Sequence, residues 1–190
     1  MQLSRRMLFH LSVFTLVGMS AIGYGLLRLA PNQTFEGLML SGDYLHQLGA
    51  GLGIGLGVSI VALLFIRLPL FRSVRGFFGE LIGGLDLGWP HILFYSFCAA
   101  VGEEILFRGA IQEFIGIWPT AVVFVLLHGY LNPRNLSMSI YGVFLVFVAA
   151  LFGFLLRWHG IYAAMAAHFV YDVIMFGYLR AISQAAGRSS

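Results

Sequence analysis

Three short stretches of this chain put ionisable side chains into otherwise apolar sequence. The first is Glu103-Glu104-Ile105-Leu106-Phe107-Arg108. On a helix, Glu104 and Arg108 stand four residues apart on one face, where carboxylate and guanidinium can form a charge-assisted pair. Glu103 points about 100° away and has no such partner. A carboxylate without a cation beside it, in a low-dielectric cavity, is a candidate general base. The competing reading of the same stretch is a structural Glu-Arg clamp between helices. The second stretch runs from Phe124 to His128, ring and imidazole one turn apart on a shared face. Alone, such a histidine suits hydrogen-bonded packing as well as catalysis. In the third, His168 and Asp172 share a face at four-residue spacing. That carboxylate can fix the imidazole's tautomer, ligate a metal with it, or simply join two helices.

These groups stand out because of what surrounds them. The chain is 59% apolar and only 10% charged, against roughly 25% charged in an ordinary soluble domain. Apolar runs of about 20 residues recur, the length a helix needs to cross a hydrocarbon core roughly 30 Å thick. The chain therefore reads as an integral membrane protein. Ionised groups inside a span cost several kcal/mol, so they face water-filled cavities, pair with one another and mark function. The net charge of +3, carried by scattered arginines with no lysine, does not suggest nucleic-acid binding. Cys98, the single cysteine, has no partner for an internal disulfide and reads as a packed thiol.

Six spans would carry the three stretches, in an all-α bundle forming a single domain over residues 1–190, with a core of four helices. Span 1 covers about Met7 to Leu29, too long for the apolar region of a signal peptide. A polar loop with Pro31, Asn32, Gln33, Glu36 and Asp43 follows. Span 2 covers about Leu45 to Ile66, where Gly49, Gly53 and Gly57 recur every fourth residue with Gly51 and Gly55 beside them, so that a neighbouring helix backbone can approach closely. Arg67, Arg72 and Arg75 among leucines and phenylalanines read as a connector lying at the headgroup boundary. Span 3 runs from Trp89 or Pro90 to about Ile115, span 4 from Pro119 to Leu131, span 5 from Leu136 to Leu156, and span 6 from Gly160 to Leu179. No internal repeat or low-complexity linker is visible. With six spans both termini share a side. Arg5, Arg6, Arg67, Arg72, Arg75, Arg134, Arg180 and Arg188 fall on that side, which makes it cytoplasmic, in a bacterial inner membrane. At 1.5 Å per residue, Glu103, His128 and His168 all reach one layer near mid-membrane.

Glu-Glu-x-x-x-Arg, then Phe-x-x-x-His, then His-x-x-x-Asp, in that order on successive apolar segments, resembles the CPBP family. These are the CAAX proteases and bacteriocin-processing enzymes, also called the Abi family. Gly102-Glu103-Glu104-Ile105-Leu106-Phe107-Arg108-Gly109 is similar to its first motif even beyond the defining positions. The resemblance covers about residues 90–180. It implies a helical membrane bundle and an intramembrane endopeptidase that cuts a peptide bond near the C-terminus of a membrane-associated or exported protein. In that scheme Glu103 activates water, with Glu104, Arg108 and Phe124 in support. His128 and His168 bind the water or stabilise the oxyanion. Asp172 stands where the family often has Asn; an ionised Asp cannot donate a hydrogen bond, so here it would orient His168 or share a proton. No cofactor is expected, zinc on His128, His168 and Glu103 being the alternative. The implied partners are a protein or peptide substrate, with or without a prenyl group or C-terminal sorting segment, and the lipid bilayer.

Two other classes fit the same residues. A proton-coupled transporter uses intramembrane Glu, His and Asp chains, though no inverted repeat is visible. A non-catalytic scaffold or immunity factor would use them only to hold the bundle. The breaks at Gly116 to Pro119 and near His159 raise a further expectation. They put the nearest openings at the end opposite the arginine-rich one, so either span 3 is broken near Gly102 and the topology shifts, or the protein works on exported substrates.

Overall fold

The computed structural model describes residues 4–85 and 87–187, and among them there is no strand. Arg188, part of the charge count above, lies outside the described residues. Eight helices follow one another: α1 Arg5–Leu27, α2 Phe35–Leu40, α3 Tyr44–Ile66, α4 Arg72–Gly83, α5 residues 89–115, α6 Ile117–Leu127, α7 Leu136–His159 and α8 Ile161–Gly187. Side chains start several of them. Ser4 accepts the Met7 N–H, Thr34 that of Gly37, Asp43 those of Leu45 and His46, and Asn135 that of Met138, each meeting a backbone donor the helix cannot use.

The chain is a helical membrane bundle. Four of its helices are long and apolar enough to cross a bilayer: Arg5–Leu27, Tyr44–Ile66, Leu136–His159 and Ile161–Ala185. The other two expected spans differ for separate reasons. α5 has the length but carries Glu103, Glu104, Arg108 and Glu113. α6 has only 11 residues, about 16 Å of helix, and cannot span a core roughly 30 Å thick. The segment expected to continue to Leu131 therefore ends part way, with His128 as its last helical neighbour.

The polar loop expected before α3 contains α2, whose Leu38 is buried. Of the glycines in α3, only one set makes the expected close approach. Nothing stands within 4 Å of a Cβ added at Gly49, Gly53 or Gly57. The contact stripe is the intervening one, Gln47, Gly51, Gly55, Ser59, Ala62 and Ile66, all buried. Gly51 lies on the Ala163 carbonyl and Gly55 on the Ala167 backbone, so α3 and α8 meet at nearly backbone distance. This seats α8, and with it His168, at the centre of the bundle. The basic connector is likewise more than a surface element: Phe71 and Val74 have no exposed area and pack with Ala62, Ile66, Tyr141 and Met175.

Arginines gather at one end. Arg5 donates to the Leu85 carbonyl (2.8 Å), Arg75 to those of Ile66 (2.5 Å) and Leu68 (3.0 Å), while Arg67 and Arg180 lie over the rings of Tyr178 and Trp89. The opposite end holds His46 and His159, their ring nitrogens 3.1 Å apart, and Gln47, whose amide oxygen accepts the Tyr162 N–H at the turn into α8.

Candidate active site

α5 is α-helical from Trp89 to Glu103 and π-helical from Glu104 to Ile111. π-Helical turns in natural helices concentrate at functional sites. Here the change begins between the two glutamates, and their surroundings differ accordingly. Glu104 is fully buried and Arg108 nearly so, with Arg108 Nη1 3.2 Å from Glu104 Oε1. Arg108 also donates through Nη2 to the Ala149 carbonyl at 3.3 Å and lies 4.3 Å over the Phe124 ring. One residue therefore joins α5, α6 and α7. His168 completes the cluster by donating its Nδ1–H to Glu104 Oε1 at 2.7 Å.

Glu103 turns the other way. Its Oε2 lies 3.7 Å from His128 Nε2 and 4.0 Å from His168 Nε2. His128 is held from behind: Nδ1–H donates to the Phe124 carbonyl at 2.7 Å, and the two rings lie 4.3 Å apart. A carbonyl can only accept, so His128 carries its proton on Nδ1 and turns Nε2 toward Glu103. The bond to Glu104 does the same for His168. Asp172 Oδ2 approaches the front of that ring, 3.6 Å from Nε2. Thus Glu104 holds the back of His168 while Asp172 and Glu103 face its reactive nitrogen. Phe152 stacks on the imidazole with ring centroids 5.5 Å apart.

Glu103, His128, His168 and Asp172 share a cavity of about 440 Å3 with Arg108 and Phe124. Its remaining wall comes from Leu8 and Ser12 of α1, Ile66 at the end of α3, Phe78 and Ile82 of α4, and Leu179 of α8. These residues sit toward the arginine-rich end, so the cavity extends that way and not toward Gly116 and His159, as the chain breaks suggested. The helix breaks marked turns; α6 is short, and α4 contributes Phe78 and Ile82 to the cavity wall. A second cavity of about 530 Å3, lined by Gln112, Trp118, Arg157 and Gly160, lies at the other end and shares only Arg108 with the first. Cys98 is buried and free, as a packed thiol should be.

Four tyrosines, Tyr95, Tyr130, Tyr141 and Tyr171, also line the first cavity, and motif spacing gave no signal for them. Only the pattern of aromatic residues flanking the second and third stretches could have pointed to the last three. Among the described residues, no group of three or more His, Cys, Asp and Glu stands close enough to grip a metal ion without rearranging. His128, His168 and Glu103 are nonetheless the set whose donor atoms converge.

Comparison with known proteins addresses the same region. Residues 85–174 match the family model described as type II CAAX prenyl endopeptidase Rce1-like. An uncharacterized Bacillus subtilis (strain 168) protein, YpbD, is 35% identical over 86 residues, covering 45% of this chain and 43% of that protein. The chain thus aligns with less than half the length of this curated relative. No solved structure matches. The matched segment holds all three motif stretches and the whole cluster around Glu103, and over these residues the chain is similar to the Rce1-like type II CAAX prenyl endopeptidases.

Proposed function

We propose that the chain is an intramembrane endopeptidase in which Glu103 activates the hydrolytic water. The observation that carries this is the position of Glu103 Oε2 opposite two imidazole Nε2 atoms, at 3.7 and 4.0 Å. Separations of that size between polar groups suit a bridging water. Such a water would donate one hydrogen to the carboxylate and one to an imidazole, leaving an oxygen lone pair for the scissile carbonyl. Glu103 takes the proton as the oxygen attacks, the C–N bond breaks, and the same proton goes to the leaving amine. Glu104, Arg108, Phe124 and Asp172 hold the two rings.

The apolar wall between the site and the arginine-rich end favours a substrate that enters from that side with an apolar segment, cut near its C-terminus. By the charge rule this is the cytoplasmic side of a bacterial plasma membrane, with both termini there. A zinc-dependent hydrolysis is the second reading, supported by the two Nε2 lone pairs facing one carboxylate; His128, His168 and Glu103 would hold the ion, which would supply a polarised water.

The test compares protein C-termini in cells carrying wild type and Glu103→Gln. The amide keeps shape and hydrogen bonding but cannot take a proton. A set of termini present only with wild type supports the proposal; identical termini, with both proteins accumulating in the membrane, would overturn it in favour of a scaffold. Loss of activity on chelation, restored by zinc, would select the second reading.

A further inference from the structure

Hydrolysis of a peptide bond puts negative charge on the carbonyl oxygen, and a preorganised donor aimed there is among the strongest aids to the reaction. Around Glu103 such donors are scarce. The Nδ1–H groups of both histidines are committed, His128 to the Phe124 carbonyl and His168 to Glu104. Each Nε2 faces a carboxylate, Glu103 for His128, and Glu103 and Asp172 for His168. It therefore presents either a bare lone pair or a proton already held by that carboxylate. Arg108 donates through Nη2 to the Ala149 carbonyl and is ion-paired through Nη1 with Glu104, a contact that is not a hydrogen bond. Tyr141 and Tyr171 share one hydrogen bond, oxygen to oxygen 3.4 Å, which commits one of their two hydroxyl protons. Tyr95 and Tyr130 also line the cavity, and neither hydroxyl makes a hydrogen bond to a described residue; the Tyr95 ring packs on His91 and Phe94, whereas that of Tyr130 lies against His128, the imidazole that faces Glu103.

The sequence places this tyrosine firmly. α6 ends at Leu127, and the chain reverses through Gly129, whose φ of 77° suits glycine where other residues are strained. The Gly129 N–H then donates to the Leu126 carbonyl and the Tyr130 N–H to that of Val125, folding Tyr130 back over the helix end. Its carbonyl lies 2.8 Å from where a Cβ on Gly142 would stand, so backbone packs directly against α7. The ring is nearly parallel to that of His128 (17°, centroids 6.3 Å apart) and packs against Phe78 and Tyr141. A phenol held between three rings keeps a fixed direction and is protonated at neutral pH.

We infer that Tyr130 is a catalytic residue, its hydroxyl donating the hydrogen bond that stabilises the tetrahedral oxyanion beside Glu103. This rests on the peptidase reading above. No bond to Tyr130 forms or breaks; the phenol keeps its proton throughout.

The test uses full-length protein in detergent and an internally quenched peptide spanning a junction that appears in the C-terminal comparison. Wild type, Tyr130→Phe and Glu103→Gln are measured side by side, each with its thermal unfolding midpoint. Phenylalanine keeps the ring packing and removes only the donor. The expected result is a fall in kcat on the order of 100-fold, the scale of one lost oxyanion donor, with KM and the unfolding midpoint unchanged. Wild-type kcat in Tyr130→Phe, a rise in KM alone, or a kcat loss that tracks a lowered midpoint would each overturn the inference while leaving the peptidase reading intact. Full activity in Glu103→Gln would overturn that reading itself.

Discussion

Gly55→Ala tests whether the close approach of α3 and α8 positions the site. A Cβ at residue 55 would stand 2.7 Å from Ala167 Cα and 2.8 Å from its carbonyl oxygen. Ordinary carbon contacts lie near 3.5 to 4.0 Å, so α8 must retreat by about 1 Å at the residue preceding His168. Overpacking of this kind costs about 1 to 3 kcal/mol, and the helix-propensity gain of alanine over glycine returns up to about 1 kcal/mol. The expected net loss is up to about 2 kcal/mol, read as a lower unfolding midpoint in detergent. The activity loss should be larger in proportion, because a misplacement of about 1 Å can cost on the order of 100-fold. Gly53→Ala is the matched control. Nothing lies within 4 Å of its added Cβ, so only the propensity gain applies, and stability should hold or rise slightly with full activity. Equal stability and activity in the two variants would refute the reasoning.

The buried charges make a second set of expectations. Arg108→Met leaves Glu104 without its cation, and breaking a buried pair in this way costs about 3 to 5 kcal/mol; accumulation in the membrane should fall sharply. Adding Glu104→Leu should restore accumulation but not activity, since His168 then loses the acceptor for its Nδ1–H; quantitative immunoblotting and the cleavage assay separate the two effects. His128→Ala should abolish cleavage with little change in unfolding midpoint, because its ring stands at a helix end against the cavity and not in the packed core. Reporter fusions after Arg75 and after Arg157 should report cytoplasmic and non-cytoplasmic locations respectively; the reverse pattern would place the cavity mouth on the outer side.

Much of the site was legible because membranes make ionisable residues conspicuous. Four-residue spacing correctly paired Glu104 with Arg108 and put Phe124 behind His128, both being consequences of helical geometry. That geometry did not show which carboxylate would hold the back of His168. Asp172, on the same helix, looked like the orienting group, whereas Glu104 makes the 2.7 Å bond from α5, a relation between helices that no local pattern contains. The glycines of α3 left a similar choice open. Residues 49, 53 and 57 and residues 51 and 55 show the same local spacing, and only the small residues of α8, Ala163 and Ala167, select the second set. The end of α6 at Leu127 was hidden because Gly129 and Tyr130 continue an apolar run, while the reversal depends on a single positive φ.

The adjacent glutamates show how the bundle gives one residue type two environments. Both lie in the apolar interior of a long helix, and each would cost several kcal/mol there if left alone. Glu104 meets most of that cost with Arg108 and His168, in contacts of 3.2 and 2.7 Å that both fall on Oε1, its Oε2 being buried without a hydrogen bond. Glu103 has no contact shorter than 3.7 Å to a cationic or imidazole group, and gaps of that size are too long for direct hydrogen bonds yet suit a bridging water. A wet cavity on the Glu103 side is therefore what allows an ionised carboxylate to remain there. The dry clamp keeps both imidazoles aimed at it. Exchange of the two environments by moving Arg108 would leave a charged pair facing the cavity and an unpaired base in the dry core, which would remove both stability and chemistry.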